Sequence, residues 1–262
     1  MNSAERREAI LEIIKEQKQV KIIELSTIFN VSRETIRNDL YEIEQTEGLI
    51  KKVYGGAVLD ETTKESAYDK RKETNSEAKK QIAQTAANLV EDGDTIYLDY
   101  GTTVLNLAEL LVDKKDLTVV TNTLPIINVL AEYENINLFV PGGVIRRNEF
   151  SFAGASAMRA IDDIYVDIGF FGCSGINDKS GITNIFEGEV DFSRKILQQS
   201  TNAIVLTDHT KFGITSYKQL AKFTEIDMII TDEIKDPDLK DNIQQENKTL
   251  KIIASASRGS GK

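Results

Sequence analysis

Residues 20–59 read VKIIELSTIFNVSRETIRNDLYEIEQTEGLIKKVYGGAVL. Leu25, Ile28 and Phe29 recur at helical spacing and mark a short helix, and Asn30-Val31 makes a turn. Ser32 is placed to cap the next helix, because its hydroxyl can accept a bond from a free backbone N–H. On that helix Ile36, Leu40 and Ile43 share one face and are expected to pack inward. Glu34, Asn38 and Tyr41 then point outward, with Arg33, Thr35 and Arg37 on the flanks. Residues 49–53 and 57–59 read as two short strands, and Gly55-Gly56 is expected to supply the positive φ of a tight hairpin. Upstream, Ala9, Ile10, Ile13 and Ile14 mark one more helix. Helices joined by a tight turn and followed by a glycine-tipped hairpin are the plan of a winged helix-turn-helix.

That plan holds one helix in a DNA groove, so its exposed polar residues become candidates for base and phosphate contact. They are Ser32, Arg33, Glu34, Thr35, Arg37 and Asn38 on the second helix. Arginine suits guanine edges and phosphates, and asparagine suits adenine. In the wing the candidates are Lys51, Lys52, Tyr54, Gly55 and Gly56, where two cations beside a tight tip can reach backbone phosphate.

The chain has 262 residues, enough for two ordinary domains, and its 40% hydrophobic and 28% charged content is globular. The formal charge of −10 argues against coating nucleic acid through bulk charge and leaves open a binder whose local surface is basic. No apolar run is long enough to span a membrane, and the N-terminal residues read as a charged helix, not a signal peptide. A single cysteine, Cys173, excludes an intramolecular disulfide and fits a cytoplasmic setting. A single histidine, His209, excludes a multi-histidine metal site, so neither a metal nor a cofactor is expected.

The domains expected are a DNA-binding head at 1–60, a solvated linker at 61–77, an α/β domain at 78–254 and a disordered polar tail at 255–262. The linker is charged and lacks an apolar stripe. A helix is expected from Ala78, with Ile82, Ala86, Leu89 and Val90 inward, ending at Asp92-Gly93. Beyond it, β-branched runs recur at 95–98, 117–120, 138–140, 168–171, 203–206, 228–230 and 250–253, with helical patterns between most of them. Strands without strict alternation, separated by helices, predict a mostly parallel sheet covered on both faces.

Ligands of such sheets bind at the carboxyl ends of the strands, and the unusual residues fall there. Asp99-Tyr100-Gly101-Thr102-Thr103 joins a strand to a helix N-terminus and makes an anion cradle of close backbone, hydroxyls and helix dipole. Later strand ends carry Thr121-Asn122, Gly142-Gly143 with Arg146-Arg147, Gly172-Cys173-Ser174-Gly175 and Asp208-His209-Thr210-Lys211. Together they predict one rim around an anionic ligand. With no G-x-S-x-G elbow, His209 is not expected to serve a nucleophile, and Cys173 is expected to be a buried core residue.

Both halves resemble the DeoR family of bacterial sugar-metabolism repressors. The head carries Val31, Ser32, Thr35, Ile36, Arg37, Asp39 and Leu40, then Ile43-Glu44, Gly48, Lys51-Lys52 and Gly55-Gly56-Ala57. It departs from the family pattern in Asn38 for a second arginine, in one extra residue between Glu44 and Gly48, and in Tyr54 for a frequent histidine. The second half carries Arg71, Asn75 and Lys79 of a lead-in motif. Its Thr207-Asp208-His209-Thr210-Lys211-Phe212-Gly213 stands where A-D-S-S-K-F-G is commoner. The resemblance implies a sensor domain related in fold to ribose-5-phosphate isomerase. Its Gly101-Thr102-Thr103 loop would hold a sugar phosphate, with Asp99, Glu187 and Lys211 as polar pocket residues.

The expected protein is a cytoplasmic repressor of a sugar uptake or catabolism operon. It would bind double-stranded operator DNA and be relieved by a phosphorylated sugar. One head makes too few contacts for a specific site, so a homodimer or larger is expected. The alternative is a sugar-phosphate isomerase-like enzyme with a DNA-binding head, using Asp99, Glu187 and Lys211 as acid and base.

Overall fold

The computed structural model describes residues 3–47, 50–53, 55–59, 65–146 and 149–255. Two compact units form, Met1–Lys70 and Arg71–Lys262. In the first, the helices Ser3–Gln17, Ile22–Ile28 and Arg33–Glu47 surround a core that includes Ile10, Ile14, Leu25, Ile36, Leu40 and Ile43. Ile36, Leu40 and Ile43 face inward as their spacing predicts. Ile28, read as an apolar marker of its helix, is instead 60% exposed at the helix end, while Ile22 and Leu25 take the buried face. Asn30 makes the turn with a left-handed φ of 51°. Ser32 caps the following helix, its Oγ accepting the N–H of Thr35 at 3.0 Å.

The wing is a three-stranded antiparallel sheet in the order Gln19–Lys21, Gly56–Leu59, Ile50–Val53. Its outer strand is too short to show in the sequence pattern. The two glycines of the tip serve different needs. Gly55 has the expected positive φ of 84°. Gly56 does not; a Cβ there would lie 2.0 Å from the Val20 carbonyl oxygen, so glycine is required by the close approach of the neighbouring strand. Leu49, Gly48, Tyr54 and Asp60 lie outside the described residues.

Seven strands of the second unit form one parallel sheet. Its order is Lys251–Ala254, Met228–Thr231, Ser200–Leu206, Val166–Gly172, Thr95–Leu98, Leu117–Val120, Ile136–Phe139. All seven overlap the β-branched runs; in chain order the third and fourth start two residues earlier than expected and the fifth three. A smaller antiparallel sheet joins Gly175–Asn177, Gly181–Asn184 and Lys218–Ala221. The helix expected from Ala78 begins at Ser76 and ends at Ala87, short of Asp92-Gly93. Gly93, with φ 88°, serves the next turn, donating its N–H to the Lys115 carbonyl. Within the stretch read as a solvated linker, Glu65–Glu73 is helical. Ser255, read as the start of the tail, is buried and bonds the Thr231 carbonyl through its N–H; residues 256–262 lie outside the described residues.

The strand order reverses beside Thr95–Leu98. Its successors in the chain build outward on one side, and Val166–Gly172 and the later strands build on the other. A crevice opens at such a switch point, outside the carboxyl ends of the two flanking strands.

In the first unit a forked ion pair ties the first helix to the third: Arg6 Nε meets Asp39 Oδ2 at 2.6 Å and Nη2 meets Oδ1 at 3.2 Å. The two side chains are 12% and 7% exposed. Asp39→Ala would leave the guanidinium without its forked partner, so chemical denaturation of the full chain should show this unit unfolding at a lower denaturant concentration. An unchanged midpoint would place the pair among weak surface contacts.

Candidate DNA-binding and effector sites

On the first unit, Arg33 and Arg37 from the recognition helix and Lys52, Gly55 and Gly56 from the wing line one groove. Apolar Ile22, Ile23 and Leu40 complete it. Arg37 Nη1 lies 2.8 Å from Glu34 Oε2 on the exposed helix face. Lys52 Nζ sits 4.5 Å over the ring of Tyr41, and Lys51 and Asn38 are exposed. The hydroxyls of Ser32 and Thr35 lie 2.8 Å apart and serve the helix cap, so their role in this structure is to build the helix end. Tyr54 is not among the described residues.

On the second unit, a cavity of about 190 Å³ occupies the switch point. Tyr100, Gly101, Thr102, Thr103 and Val104 form one side, and Gly172, Cys173 and Ser174 the other. Gly172 is needed here, since a Cβ would lie 2.6 Å from the Tyr100 carbonyl oxygen. Gly101, with φ 121°, lets the chain turn into the helix Thr102–Glu109, whose first N–H groups have no partner within that helix. The loop therefore has the donors and the dipole that favour an anion.

Cations gather at the same place. Arg71, Lys79 and Lys211 line the cavity with Asp208. Burial pushes the Lys79 ammonium down to about 8; Asp208 opposes this, and Lys211 and Arg71 add to it. Burial raises Asp208, but the hydroxyl and N–H of Thr210, with Lys211 and Asn75, outweigh it and hold the carboxyl below its ordinary value. Asn75 Nδ2 donates to Asp208 Oδ1 at 3.1 Å. The Arg71 carbonyl accepts from Lys79 Nζ and, at 3.4 Å, from Thr102 Oγ1. Its guanidinium lies 2.8 Å from Glu149 Oε1.

The expected rim is thus only partly assembled. Gly101, Thr102, Thr103 and Lys211 line the cavity; Asp99, Thr121, Asn122, Gly142, Gly143, Arg146 and Glu187 are not among the described residues that do. The cavity gathers the ends of Thr95–Leu98, Val166–Gly172 and Ser200–Leu206, whereas Thr121 and Asn122 follow the strand on the other side of Thr95–Leu98, and Gly142, Gly143 and Arg146 come after the strand beyond that. Asn122 instead donates to the Phe152 carbonyl, and Thr121 is buried beside Thr123. Gly143 packs under the Ala153 carbonyl and Gly142 is exposed. Arg146 stacks its guanidinium 3.1 Å over the Phe186 ring and meets Glu189 at 2.6 Å. Arg147 lies outside the described residues. Glu187 is 61% exposed and paired with Lys218.

Asp99 lies beneath the cavity floor, fully buried. Its carboxylate accepts from Tyr97 OH at 2.7 Å, Ser193 Oγ at 2.8 Å and the Gly172 N–H at 3.4 Å. Asn184, Thr207 and Ser216, which also line the cavity, escaped the sequence reading because they sit on an unremarkable strand, a strand end read for its neighbours and a loop. His209 lies just outside the lining. Its Nδ1 is 2.5 Å from Asp232 Oδ2 and 4.0 Å from Glu233, and its N–H donates to Asp232 Oδ1, which pins the turn that presents Lys211. Cys173 is partly buried, and its thiol is pushed up to about 11 by burial, far from a reactive thiolate.

A winged helix with a basic groove, carried in one chain with an α/β unit that has a cationic cavity at its switch point, defines a two-part transcriptional regulator. Residues 6–63 match the DeoR-like helix-turn-helix domain and residues 74–233 the DeoR C-terminal sensor domain. The chain belongs to the DeoR family of DNA-binding repressors of sugar metabolism. It is 36% identical to the HTH-type transcriptional repressor GlcR of Bacillus subtilis, over 89% of this chain and 90% of that one. It is 35% identical to the HTH-type transcriptional regulator GolR of Listeria innocua, over 95% and 98%. With the glycerol-3-phosphate regulon repressor of Escherichia coli the figures are 31%, 88% and 92%. Among solved structures, ribose 5-phosphate isomerase from Methanocaldococcus jannaschii overlaps 53% of this chain and 55% of its own. That likeness, at TM-score 0.40 and 19% identity, is too remote to bear on function. The relatives are named as repressors and regulators, which sets the enzyme alternative aside. Its acid–base set is not assembled either, with Asp99 beneath the floor and Glu187 exposed. Among the described residues no helix is long and apolar enough to cross a membrane.

The buried carboxyls predict a pH dependence. Burial pushes Asp99 up to about 7 against the hydroxyls of Tyr97 and Ser193, and burial likewise pushes Glu189 up to about 7. A carboxyl raised on folding stabilises fully below its unfolded value, about 4, and loses that contribution as pH rises through the folded one. The melting temperature of the second unit should therefore fall between pH 5 and pH 8, and Asp99→Asn should flatten the fall. An unchanged slope in the variant would remove Asp99 as the cause.

Proposed function

We propose that the cavity binds a phosphorylated sugar and that binding lowers the affinity of the winged helix for operator DNA. The observation that carries this reading is the Gly101-Thr102-Thr103 loop, open at the switch point and flanked by Lys79 and Lys211. Its free N–H groups and hydroxyls suit phosphate oxygens, and the two ammonium groups balance a dianion. On the DNA side, Arg33, Arg37 and Asn38 read base edges and phosphates, while Lys51, Lys52 and the Gly55-Gly56 tip hold the backbone. The protein acts in the cytoplasm as a homodimer or larger, because paired heads are needed to cover two half-sites.

Arg71 supplies the coupling. It lies in the last turn of Glu65–Glu73, the helix that crosses the division between the two units. Its carbonyl engages Thr102 and Lys79, the donors a phosphate at the loop would claim. The sugar can act only by its difference in affinity for two arrangements of the protein, and this competition provides one.

Two measurements test the halves separately. Lys51→Ala should weaken DNA binding about equally across sequences and reduce the salt slope by about 1, as a phosphate contact does. Sequence-selective loss would make Lys51 a base reader. For the sensor, thermal shift is measured against ribose 5-phosphate, fructose 6-phosphate, glucose 6-phosphate, glycerol 3-phosphate and their unphosphorylated parents. At a hundred times its Kd, a ligand adds about 2.7 kcal/mol to the state it binds. Stabilisation by a phosphorylated compound and not its parent is expected, with Thr102→Ala abolishing the shift and leaving operator binding intact. No shift across the panel would overturn the sensor reading.

A further inference from the structure

Among the described residues, three cations line the groove of the first unit: Arg33 and Arg37 from the recognition helix and Lys52 from the wing. Lys51, its neighbour on the same strand, is not among the described residues that line it. The cations are held in different ways. Arg37 lies against an acid, with Glu34 Oε2 at 2.8 Å. Lys52 lies against a ring, its Nζ 4.5 Å over the centroid of Tyr41.

Tyr41 belongs to the outward face of the recognition helix Arg33–Glu47. It stands four residues after Arg37 and three after Asn38, so it continues their row by one turn. Leu40 beside it is fully buried in the core, whereas Tyr41 is 50% exposed. The strand Ile50–Val53 packs against the same helix, and Ile50, buried at its start, anchors it there. Two residues further on, Lys52 is thereby brought over the Tyr41 ring.

The kind of partner matters when phosphate arrives. An acid competes with phosphate for the cation and repels it. A ring face attracts an ammonium through its quadrupole and carries no net charge. An ammonium has three N–H donors, and the ring occupies one side of it, so phosphate oxygens can approach from the other. Tyr41 can therefore hold Lys52 both before and after DNA binds. A lysine without such a support loses its rotamer freedom on making the contact, and that cost lowers affinity.

We propose that Tyr41 is a positioning residue for DNA binding: it orders Lys52 in advance for a phosphate contact and fixes the span between recognition helix and wing. This rests on the reading of Lys52 as a backbone contact given above. Such a contact carries no sequence information, but it sets the register in which Arg33, Arg37 and Asn38 meet the bases.

The test titrates the full chain with a DNA duplex of mixed sequence between about 50 and 200 mM salt, because a phosphate contact is made on any sequence. Lys52→Ala should weaken binding and reduce the salt slope by about 1. Tyr41→Leu should weaken binding about threefold with the melting temperature unchanged, and Tyr41→Phe, which keeps the ring face, should restore most of that loss. In the Lys52→Ala background, Tyr41→Leu should cost nothing more. A loss that persists in that background would make Tyr41 a DNA contact or a structural support in its own right. An equal loss in Tyr41→Phe would assign the effect to the hydroxyl, and tighter binding by Tyr41→Leu would mean that the ring keeps Lys52 from DNA. Each of these overturns the inference, as does an unchanged affinity for Tyr41→Leu where Lys52→Ala weakens binding. A Lys52→Ala variant that binds like the wild type would defeat the reading of the wing lysine itself, a different result from the others.

Discussion

The approach of Gly172 to the Tyr100 carbonyl is the constraint on which the second unit depends. Two adjacent parallel strands end there, at the point where the sheet order reverses, and a side chain on residue 172 would force them apart. Beneath that contact Asp99 accepts from the Gly172 N–H and from two buried hydroxyls. Above it the chain turns through Gly101 into a helix whose first donors face the cavity. A buried carboxylate is a costly way to hold two strand ends, and the price is visible in its raised pKa. What it secures is position: both lips of the crevice are bonded to one residue. The aromatic cluster of Tyr97, Phe171 and Phe192, with ring centroids 5.5 and 6.2 Å apart, packs around the same carboxyl's partner and keeps water from it.

Charge in this protein is arranged locally, against the net sign of the chain. A formal charge of −10 coexists with a groove carrying Arg33, Arg37 and Lys52 and with a cavity carrying Arg71, Lys79 and Lys211. In each case an acid stands close by, Glu34 beside Arg37 and Asp208 beside Lys211. Such pairing holds the cations in place, and on the function proposed above a phosphate would exchange one partner for another instead of meeting bare charge. The exchange lowers the gain from binding but keeps both surfaces from attracting anions indiscriminately.

The fold was largely legible because its signals are local. Seven runs of β-branched residues became seven parallel strands, and the inward face of the recognition helix followed from the spacing of Ile36, Leu40 and Ile43. The site was legible only where one segment makes it. Gly101-Thr102-Thr103 is a strand–turn–helix in nine consecutive residues' worth of sequence signal, and Lys211 follows a strand end. Residues that depend on strand order were not legible. Thr121, Gly143 and Arg146 sit at strand ends, yet the reversal of the sheet puts the crevice elsewhere. Asn184 belongs to a separate small sheet, and no run of neighbours announces it. Gly56 was read for its conformation when the deciding fact is a third strand passing close against it.

On the reading proposed for this regulator, the same donors that bind an effector also hold Arg71, and this sets a limit on how tightly they can do either. If Thr102 and Lys79 held the Arg71 carbonyl too well, an anion could not displace it and the protein would not respond. If they held it weakly, the two arrangements would differ little in energy and the effector would bind both alike, shifting nothing however tight its grip. Lys79 meets this limit through burial, which lowers its pKa to about 8 and weakens its claim on protons until an anion arrives. The Thr102 contact, at 3.4 Å, is a long hydrogen bond and a cheap one to exchange. Glu149 completes the balance by holding the guanidinium of the same residue at 2.8 Å, so that loss of the carbonyl contacts leaves Arg71 tethered at one end and able to move at the other.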